Sequence, residues 1–228
     1  MGTRIEFATA TGGAAEGYLA EGPVGAPGII VIQEWWGLVP QIQAACDRFA
    51  AAGFTALAPD LYDGRQVPND EPDEAARAMM GLQFESAADD LAGAVDELRA
   101  RTGSGTVGVV GYCMGGGLAL VLAARRPDAV AAAVPCYGVH PWKEGHPDYT
   151  EMTAAVQIHC AMLDQAFTPE AAEQLRGQLA ALGKQVEVHL YEGANHAFAN
   201  ETRPEVYDEA AAAAMFDRTV RFLGDHLS

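Results

Sequence analysis

Basic residues are scarce in this sequence. Its 228 residues include 14 lysines and arginines against 31 aspartates and glutamates, which gives a formal net charge of −17 at neutral pH. A surface of that sign repels nucleic-acid phosphates and anionic membrane surfaces. We therefore expect no nucleic-acid partner and no membrane partner, and an anionic substrate would need a local cation at its site.

Long apolar runs are also missing. The longest run, Leu118 to Ala124, is far shorter than the ~20 residues that span a bilayer. The first residues, MGTRIEFATATGG, lack the apolar stretch of a signal peptide. These features predict a cytoplasmic protein without a transmembrane helix.

Cysteine is sparse, and the four cysteines at positions 46, 113, 136 and 160 form no CxxC pair. This spacing predicts reduced thiols and no zinc-like ligand pattern. A metal site built from Cys136, His140, His146 and His159 is an alternative, but a structural role for these side chains is the simpler interpretation. We expect neither a metal nor a cofactor.

Short β-type runs alternate with helical patterns through most of the chain. This alternation predicts an α/β fold, with a mostly parallel sheet of about eight strands and helices on both faces. The length fits one domain over residues 1–228. The strands are predicted at residues 4–9, 17–21, 28–33, 55–58, 107–110, 130–134, 156–160 and 186–190. The first two flank Gly12-Gly13 and should form an antiparallel hairpin at the sheet edge.

Helical patterns lie between these strands. Residues 74–101 form one or two predicted helices that Gly81 would separate, and residues 114–125 form another. Thr168-Pro169 is typical of a helix start, with threonine as the cap and proline in the first turn. The last helix is predicted from about Pro204 to Leu223.

The segment GYCMG at positions 111–115 lies between a predicted buried strand and a predicted helix. The pattern G-x-C-x-G is typical of the nucleophile elbow, a sharp turn in which larger residues at the glycine positions would collide with neighbouring elements. A thiol at the amino end of a helix also faces the positive end of the helix dipole, which favours the thiolate. Cys113 is therefore predicted to be a nucleophile. A buried structural cysteine is the alternative.

The partners of such a nucleophile follow in the chain order acid, then histidine, each on a loop after a strand. Asp164 lies on a short loop after the predicted strand 156–160, and His196 follows the strand 186–190. The other histidines lie within strand patterns, at the C-terminus or too soon after Cys113. We predict that His196 is the base and that Asp164 orients it, with a turn-forming role for Asp164 as the alternative.

The loop after the third strand, QEWWGL at positions 33–38, is the expected source of the second oxyanion-hole donor. The two donors would be the backbone N–H groups of Trp35 and Met114. Glu34 is a carboxylate at the same strand end. It could take the proton of Cys113 or keep the thiol protonated, although a structural role is the simpler interpretation from its position alone.

Five segments together resemble the dienelactone hydrolase family, across nearly the whole chain: QEWWGL at 33–38, APDLY at 58–62, GYCMGG at 111–116, LDQAF at 163–167 and GANHAF at 193–198. The resemblance implies an α/β-hydrolase fold with eight strands, a monomer, and a Cys113-His196-Asp164 triad. It also implies that Glu34 holds the resting cysteine and is displaced by substrate, so that the thiolate forms only on a suitable substrate.

The sequence departs from this family in its arginines. Members of the family bind a substrate carboxylate with arginines, one of them a few residues after the histidine, where this chain has Ala197 to Asn200. Arg203 and Arg77 are the candidates to replace them. Trp36 follows Trp35 where the family has a smaller pair, which predicts a differently shaped or more apolar pocket.

Together these features predict a hydrolase that cleaves a small lactone or carboxylic ester through an acyl-thioester intermediate. A thioesterase or a general carboxylesterase on the same scaffold is the alternative. Outside enzymes, the alternative is a non-catalytic ligand-binding or redox-sensing protein on a hydrolase fold.

Overall fold

A sheet of eight strands forms the centre of the molecule. The computed structural model describes residues 1–138, 140–142 and 145–227. Each predicted strand is present, and the bounds are β1 (Thr3–Ala8), β2 (Ala14–Ala20), β3 (Gly28–Ile32), β4 (Thr55–Pro59), β5 (Val107–Tyr112), β6 (Val130–Cys136), β7 (Ala155–Ala161) and β8 (Val186–Tyr191).

The strands lie in the order β1-β2-β4-β3-β5-β6-β7-β8. The first two form an antiparallel hairpin at one edge, as predicted, and β2 is antiparallel to β4. The six strands from β3 to β8 are parallel to one another. This arrangement confirms the mostly parallel sheet.

The described residues form six helices, with bounds α1 (Pro40–Ala51), α2 (Pro72–Gly81), α3 (Phe84–Thr102), α4 (Met114–Arg125), α5 (Pro169–Ala181) and α6 (Glu209–His226). The predicted break at Gly81 is confirmed, and Thr168 caps α5 by accepting the N–H of Ala171. The predicted start of the last helix at Pro204 is wrong. The helix begins at Glu209 because the Asp208 side chain accepts the N–H of Ala211 and fixes the first turn there.

Apolar clusters cover both faces of the sheet. On one face, residues of α3, α4 and α5 such as Leu91, Leu118 and Leu179 join one core cluster. On the other, α1 and α6 contribute Phe49 and Phe222 to a second cluster. The inner strands are buried on both sides, which explains their unbroken apolar sequences.

The carboxyl ends of the parallel strands meet at one edge of the sheet, where ligands bind in open α/β folds. Cys113 follows β5 directly, and Glu34 comes two residues after β3. Asp164 and His196 lie on the loops that follow β7 and β8. The topology therefore brings these four residues to one edge of the sheet.

In the described part of the chain, no helix is long and apolar enough to cross a membrane.

Candidate active site

Cys113 occupies the turn between β5 and α4 with a backbone conformation that L-residues rarely adopt. Its φ is 54° and its ψ is −119°. The turn is held by two backbone hydrogen bonds: the N–H of Cys113 donates to the carbonyl of Cys136 at 3.1 Å, and its own carbonyl accepts the N–H of Gly116 at 2.9 Å. The side chain is 7% exposed and faces a cavity. The predicted nucleophile thus lies at a strained, rigid position.

Two glycines make this turn possible. A Cβ added at Gly111 would overlap the carbonyl group of Gly115. A Cβ at Gly115 would lie 2.5 Å from the carbonyl oxygen of Gln33, closer than real Cβ contacts come. The close approach of β3, β5 and α4 therefore requires glycine at both ends of the G-x-C-x-G pattern.

His196 and Asp164 form a buried hydrogen-bonded pair. His196 Nδ1 lies 2.7 Å from Asp164 Oδ2, and the Asp164 side chain is fully buried. The other oxygen, Oδ1, accepts the backbone N–H groups of Ala166 at 2.7 Å and Phe167 at 2.9 Å. With Asp164 fixed by the backbone, Nδ1 of His196 carries a proton, and Nε2 is the nitrogen left to exchange a proton with a reacting group.

The electrostatics of His196 favour its charged form. Burial alone lowers its pKa, but the hydrogen bond to Asp164, the nearby Cys113 thiol and the negative charge of both partners outweigh burial and raise the pKa to about 10. An imidazolium stabilised in this way is the natural counter-ion of a thiolate. The arrangement can therefore hold Cys113 and His196 as an ion pair.

Backbone strain is concentrated around this pair. Besides Cys113, the non-glycine residues with positive φ include Tyr137 at 40° and Ala197 at 63°. Tyr137 follows β6, and its ring centroid lies 5.3 Å from that of His196. Ala197 adjoins His196. Such strain persists only where the surroundings impose it, and it clusters at functional sites.

Glu34 is buried at the end of β3 and lines the same cavity. Burial raises the pKa of its carboxyl, and the Asn200 hydrogen bond and the charge of His196 oppose that rise. Asn200 donates from Nδ2 to Glu34 Oε2 at 2.7 Å. Sequence reasoning missed Asn200 because its partner lies 166 positions away and no local pattern links them.

The predicted oxyanion donors, Trp35 and Met114, adjoin Glu34 and Cys113 in the chain. Trp35 lines the cavity beside Cys113, and Met114 is the first residue of α4. Among the described residues, neither backbone N–H has a hydrogen-bond acceptor. The first N–H groups of a helix lack intrahelical partners, so the Met114 N–H is available to an anion.

A cavity of about 610 Å³ opens over Cys113 and His196. This volume lies within the usual range of small-molecule sites. Much of its wall is apolar, including Met79, Leu120 and Leu175. The cavity therefore suits a ligand with a substantial hydrophobic part.

The two candidate arginines lie in different places. Arg203 lines the cavity, with its guanidinium carbon 5.7 Å from the centroid of the Trp36 ring, and it pairs with exposed Glu205. Arg77 has a side chain that is 70% exposed, pairs with Glu74, and lines a separate surface depression. The structure thus brings Arg203 to the site and does not bring Arg77 there.

Trp36 is almost fully buried and also contacts the cavity. It packs with Val67, Ala75 and Ala78, which fixes the loop that carries Glu34 and Trp35. Within the part of the chain that is described, its indole N–H has no hydrogen-bond partner. Trp36 therefore shapes the cavity wall and supports the Arg203 guanidinium.

The residues considered for a metal site are dispersed. His140 and His146 line the cavity with ring centroids 5.0 Å apart. His159 instead lies under α6, where its ring nitrogens contact Tyr191, Gln157 and Thr219. Among the residues that the structure describes, no group of three or more His, Cys, Asp or Glu side chains is arranged to hold a metal ion.

Comparisons with solved structures define the class of fold. A dienelactone hydrolase-like promiscuous phosphotriesterase from metagenomic libraries superposes with a TM-score of 0.81 at 20% identity, covering 100% of this chain and 99% of that one. An α/β-hydrolase from a deep-sea metagenome also superposes, with a TM-score of 0.69 at 14% identity, covering 98% of this chain and 97% of that one. The fold is that of the α/β-hydrolases.

Sequence comparisons define the family. The model of the dienelactone hydrolase family matches residues 15–227. Protein usf of Aquifex pyrophilus is 35% identical, with both chains covered completely. The carboxymethylenebutenolidase of Pseudomonas putida is 33% identical over 93% of this chain and 91% of its own. The chain belongs to the dienelactone hydrolase family and is a hydrolase that acts on ester bonds, which confirms the resemblance drawn from its motifs.

The Asp164–His196 hydrogen bond leads to a prediction about activity. Asp164→Asn keeps the backbone bonds to Oδ1 but turns an NH₂ group toward His196 Nδ1, which forces the proton onto Nε2. That tautomer cannot accept a proton from Cys113. We expect kcat/KM for an activated ester to fall by about 10⁴-fold, the size of loss seen when the acid of a Ser-His-Asp triad becomes an amide.

The same substitution has a signature in stability. A histidine whose pKa rises from 6.5 to about 10 on folding adds stability that is fully present below pH 6.5 and is lost as the pH rises through about 10. Urea denaturation should therefore show the largest difference between wild type and Asp164→Asn near pH 6. Asp148→Asn, at an exposed turn, is the control. If the difference in the free energy of unfolding between wild type and Asp164→Asn is the same at pH 6 and above pH 10, this role of Asp164 is contradicted.

Proposed function

We propose that the protein hydrolyses a small lactone or carboxylic ester through an acyl-thioester on Cys113. The observation that carries the proposal is that a strained elbow thiol and His196 line one cavity, with His196 hydrogen-bonded to buried Asp164. We further propose that the protein acts as a monomer, with Cys113, His196 and Asp164 supplied by the same chain.

The first half of the reaction forms the thioester. The Cys113 thiolate attacks the carbonyl carbon, and the carbonyl electrons move onto oxygen, which the N–H groups of Trp35 and Met114 stabilise. The tetrahedral intermediate collapses and breaks the bond to the alcohol oxygen. That oxygen takes the proton from His196 Nε2 and leaves as the alcohol, or stays attached as a hydroxyl when the substrate is a lactone.

The second half releases the acid. Neutral His196 removes a proton from a water molecule as the water attacks the thioester carbonyl. The new tetrahedral intermediate expels the Cys113 thiolate, and the imidazolium that remains restores the ion pair. Asp164 holds the imidazole in one orientation through both halves.

In this proposal the position of the Glu34 carboxyl relative to Cys113 determines how readily the thiolate forms. A carboxylate beside Cys113 disfavours the thiolate, and a carboxyl held elsewhere does not. Its burial in the cavity wall supports this role, because charges in such a place are weakly screened by solvent.

The cavity supports an ester with a hydrophobic body and leaves room for one anionic group. Arg203 is the only arginine or lysine among the lining residues that the structure describes. It is stacked over Trp36 and only partly neutralised by exposed Glu205. We propose that it binds the carboxylate of a substrate that carries one. Thioesterase and general carboxylesterase activities use the same triad and differ only in the substrate.

Removal of the nucleophile tests the proposal. Cys113→Ala should lower kcat/KM for p-nitrophenyl acetate by at least about 10³-fold, because the remaining groups offer no nucleophile for the acyl transfer. Cys46→Ala is the matched control, since Cys46 is fully buried and is not among the residues that line the cavity. A Cys113→Ala protein with wild-type activity would overturn the proposal, and it would favour a non-catalytic role for the thiol.

Charged and uncharged esters test the role of Arg203. In Arg203→Met, kcat/KM for the mono-p-nitrophenyl ester of succinate should fall by roughly tenfold or more, the size expected when a charged hydrogen bond is lost. The value for p-nitrophenyl acetate should stay within about twofold. Arg77→Met is the control because Arg77 lies outside the cavity. Equal losses for both esters, or equal losses in both variants, would exclude carboxylate binding by Arg203.

A further inference from the structure

Glu34 is fixed in one position by Asn200. Asn200 is fully buried, and its Nδ2 donates to Glu34 Oε2 at 2.7 Å. Its Oδ1 accepts two hydrogen bonds from Thr202, from Oγ1 at 2.6 Å and from the backbone N–H at 3.1 Å. The backbone N–H of Thr202 can only donate, so it requires the amide oxygen as its acceptor and fixes the orientation of the amide. Its NH₂ group must therefore face Glu34.

The loop that carries Asn200 is itself anchored. The N–H of Asn200 donates to the carbonyl of Ala197 at 2.9 Å, and its own carbonyl accepts the N–H of Arg203 at 3.0 Å. Asn200 is four residues after His196, so one short segment carries both the base and the partner of Glu34. The position of Glu34 is thus coupled to the position of the catalytic histidine.

In this arrangement Glu34 leaves the thiol free. Within the described residues, no hydrogen bond joins Glu34 to Cys113, and Glu34 Oε1 is buried without a partner. Tyr137 lies near the carboxyl, but among the described residues its hydroxyl has no hydrogen-bond partner. Cys113 and His196 line the same cavity, and the thiol lies close enough to His196 to raise the pKa of the imidazole. A buried oxygen without a donor would gain by turning to the thiol if Asn200 did not hold the carboxyl.

We propose that Asn200 is a positioning residue that holds the Glu34 carboxyl off the Cys113 thiol, so that the free enzyme keeps its nucleophile paired with His196. This proposal rests on the proposed role of Cys113. Asn200 carries no charge and donates to a carboxyl in either protonation state, so its hold does not depend on pH.

Several ionisable groups face Glu34 and set the background for a pH measurement. They come from the ends of β5 and β6 and from the loop after β8, and they are Tyr112, Cys136, Tyr137, His196 and Arg203. None of them changes in the variants below. A shift of the pH profile that disappears without the Glu34 carboxyl must therefore come from Glu34.

The test is the pH profile of Cys113 alkylation by iodoacetamide in the free enzyme, where the thiolate attacks the methylene carbon and iodide leaves. In Asn200→Ala, the released carboxylate should approach the thiol and move the midpoint of the profile upward by about one pH unit. Glu34→Gln/Asn200→Ala should return to the wild-type midpoint, because no charge remains beside the thiol. Asn69→Ala is the matched control, since exposed Asn69 bonds Thr202 on the same loop without contacting Glu34.

Asn200→Asp provides a second variant if the alanine variant does not fold. It keeps the bonds from Thr202 but faces Glu34 with an oxygen, so the two carboxyls stay together only while they share a proton. At low pH its alkylation rate should match that of wild type. As the pH rises, the rate should approach that of Asn200→Ala. A shift that persists in the Glu34→Gln background, or unshifted profiles for folded Asn200→Ala and Asn200→Asp, would overturn the proposal. The ester-hydrolase proposal is tested separately, by measuring ester hydrolysis by Cys113→Ala.

Discussion

The turn at Cys113 constrains everything around it. For the thiol to project into the cavity, the backbone must adopt a positive φ, and β3, β5 and α4 must approach so closely that only glycine fits at positions 111 and 115. That approach also brings Glu34 and Trp35 to the thiol from the end of β3. The parallel order of β3, β5, β6, β7 and β8 then places the loops with Asp164 and His196 beside them.

The positive charge at the site is opposite in sign to the net charge of the protein. The proposed mechanism requires a thiolate in a chain with a net charge of −17, and burial would further disfavour that thiolate. Local positive charge compensates: His196 is held protonated by Asp164, the amino end of α4 points at Cys113, and Arg203 lies on the cavity wall. In this setting we expect the position of one more carboxylate, Glu34, to have a large effect on the ionisation of Cys113.

The sequence predicted the features that depend on local patterns. The elbow around Cys113 and the capped start of α5 follow from a few adjacent residues, and the strands follow from apolar runs, so the sheet and its hairpin were predicted. The start of α6 was not, because proline at 204 suggested a first turn that Asp208 instead fixes further along. The Asn200–Glu34 contact and the separation of Arg77 from the cavity depend on distant segments packing together, which no local pattern encodes.

The central claim is that Cys113 carries the acyl group, and the most direct measurement is mass spectrometry of the enzyme quenched in acid during turnover of p-nitrophenyl acetate. The account predicts one acetyl group per chain, on the peptide that contains Cys113 and removable by hydroxylamine. Steady turnover with no acyl group on Cys113, or an acyl group on another residue that disappears at the rate of turnover, would contradict it.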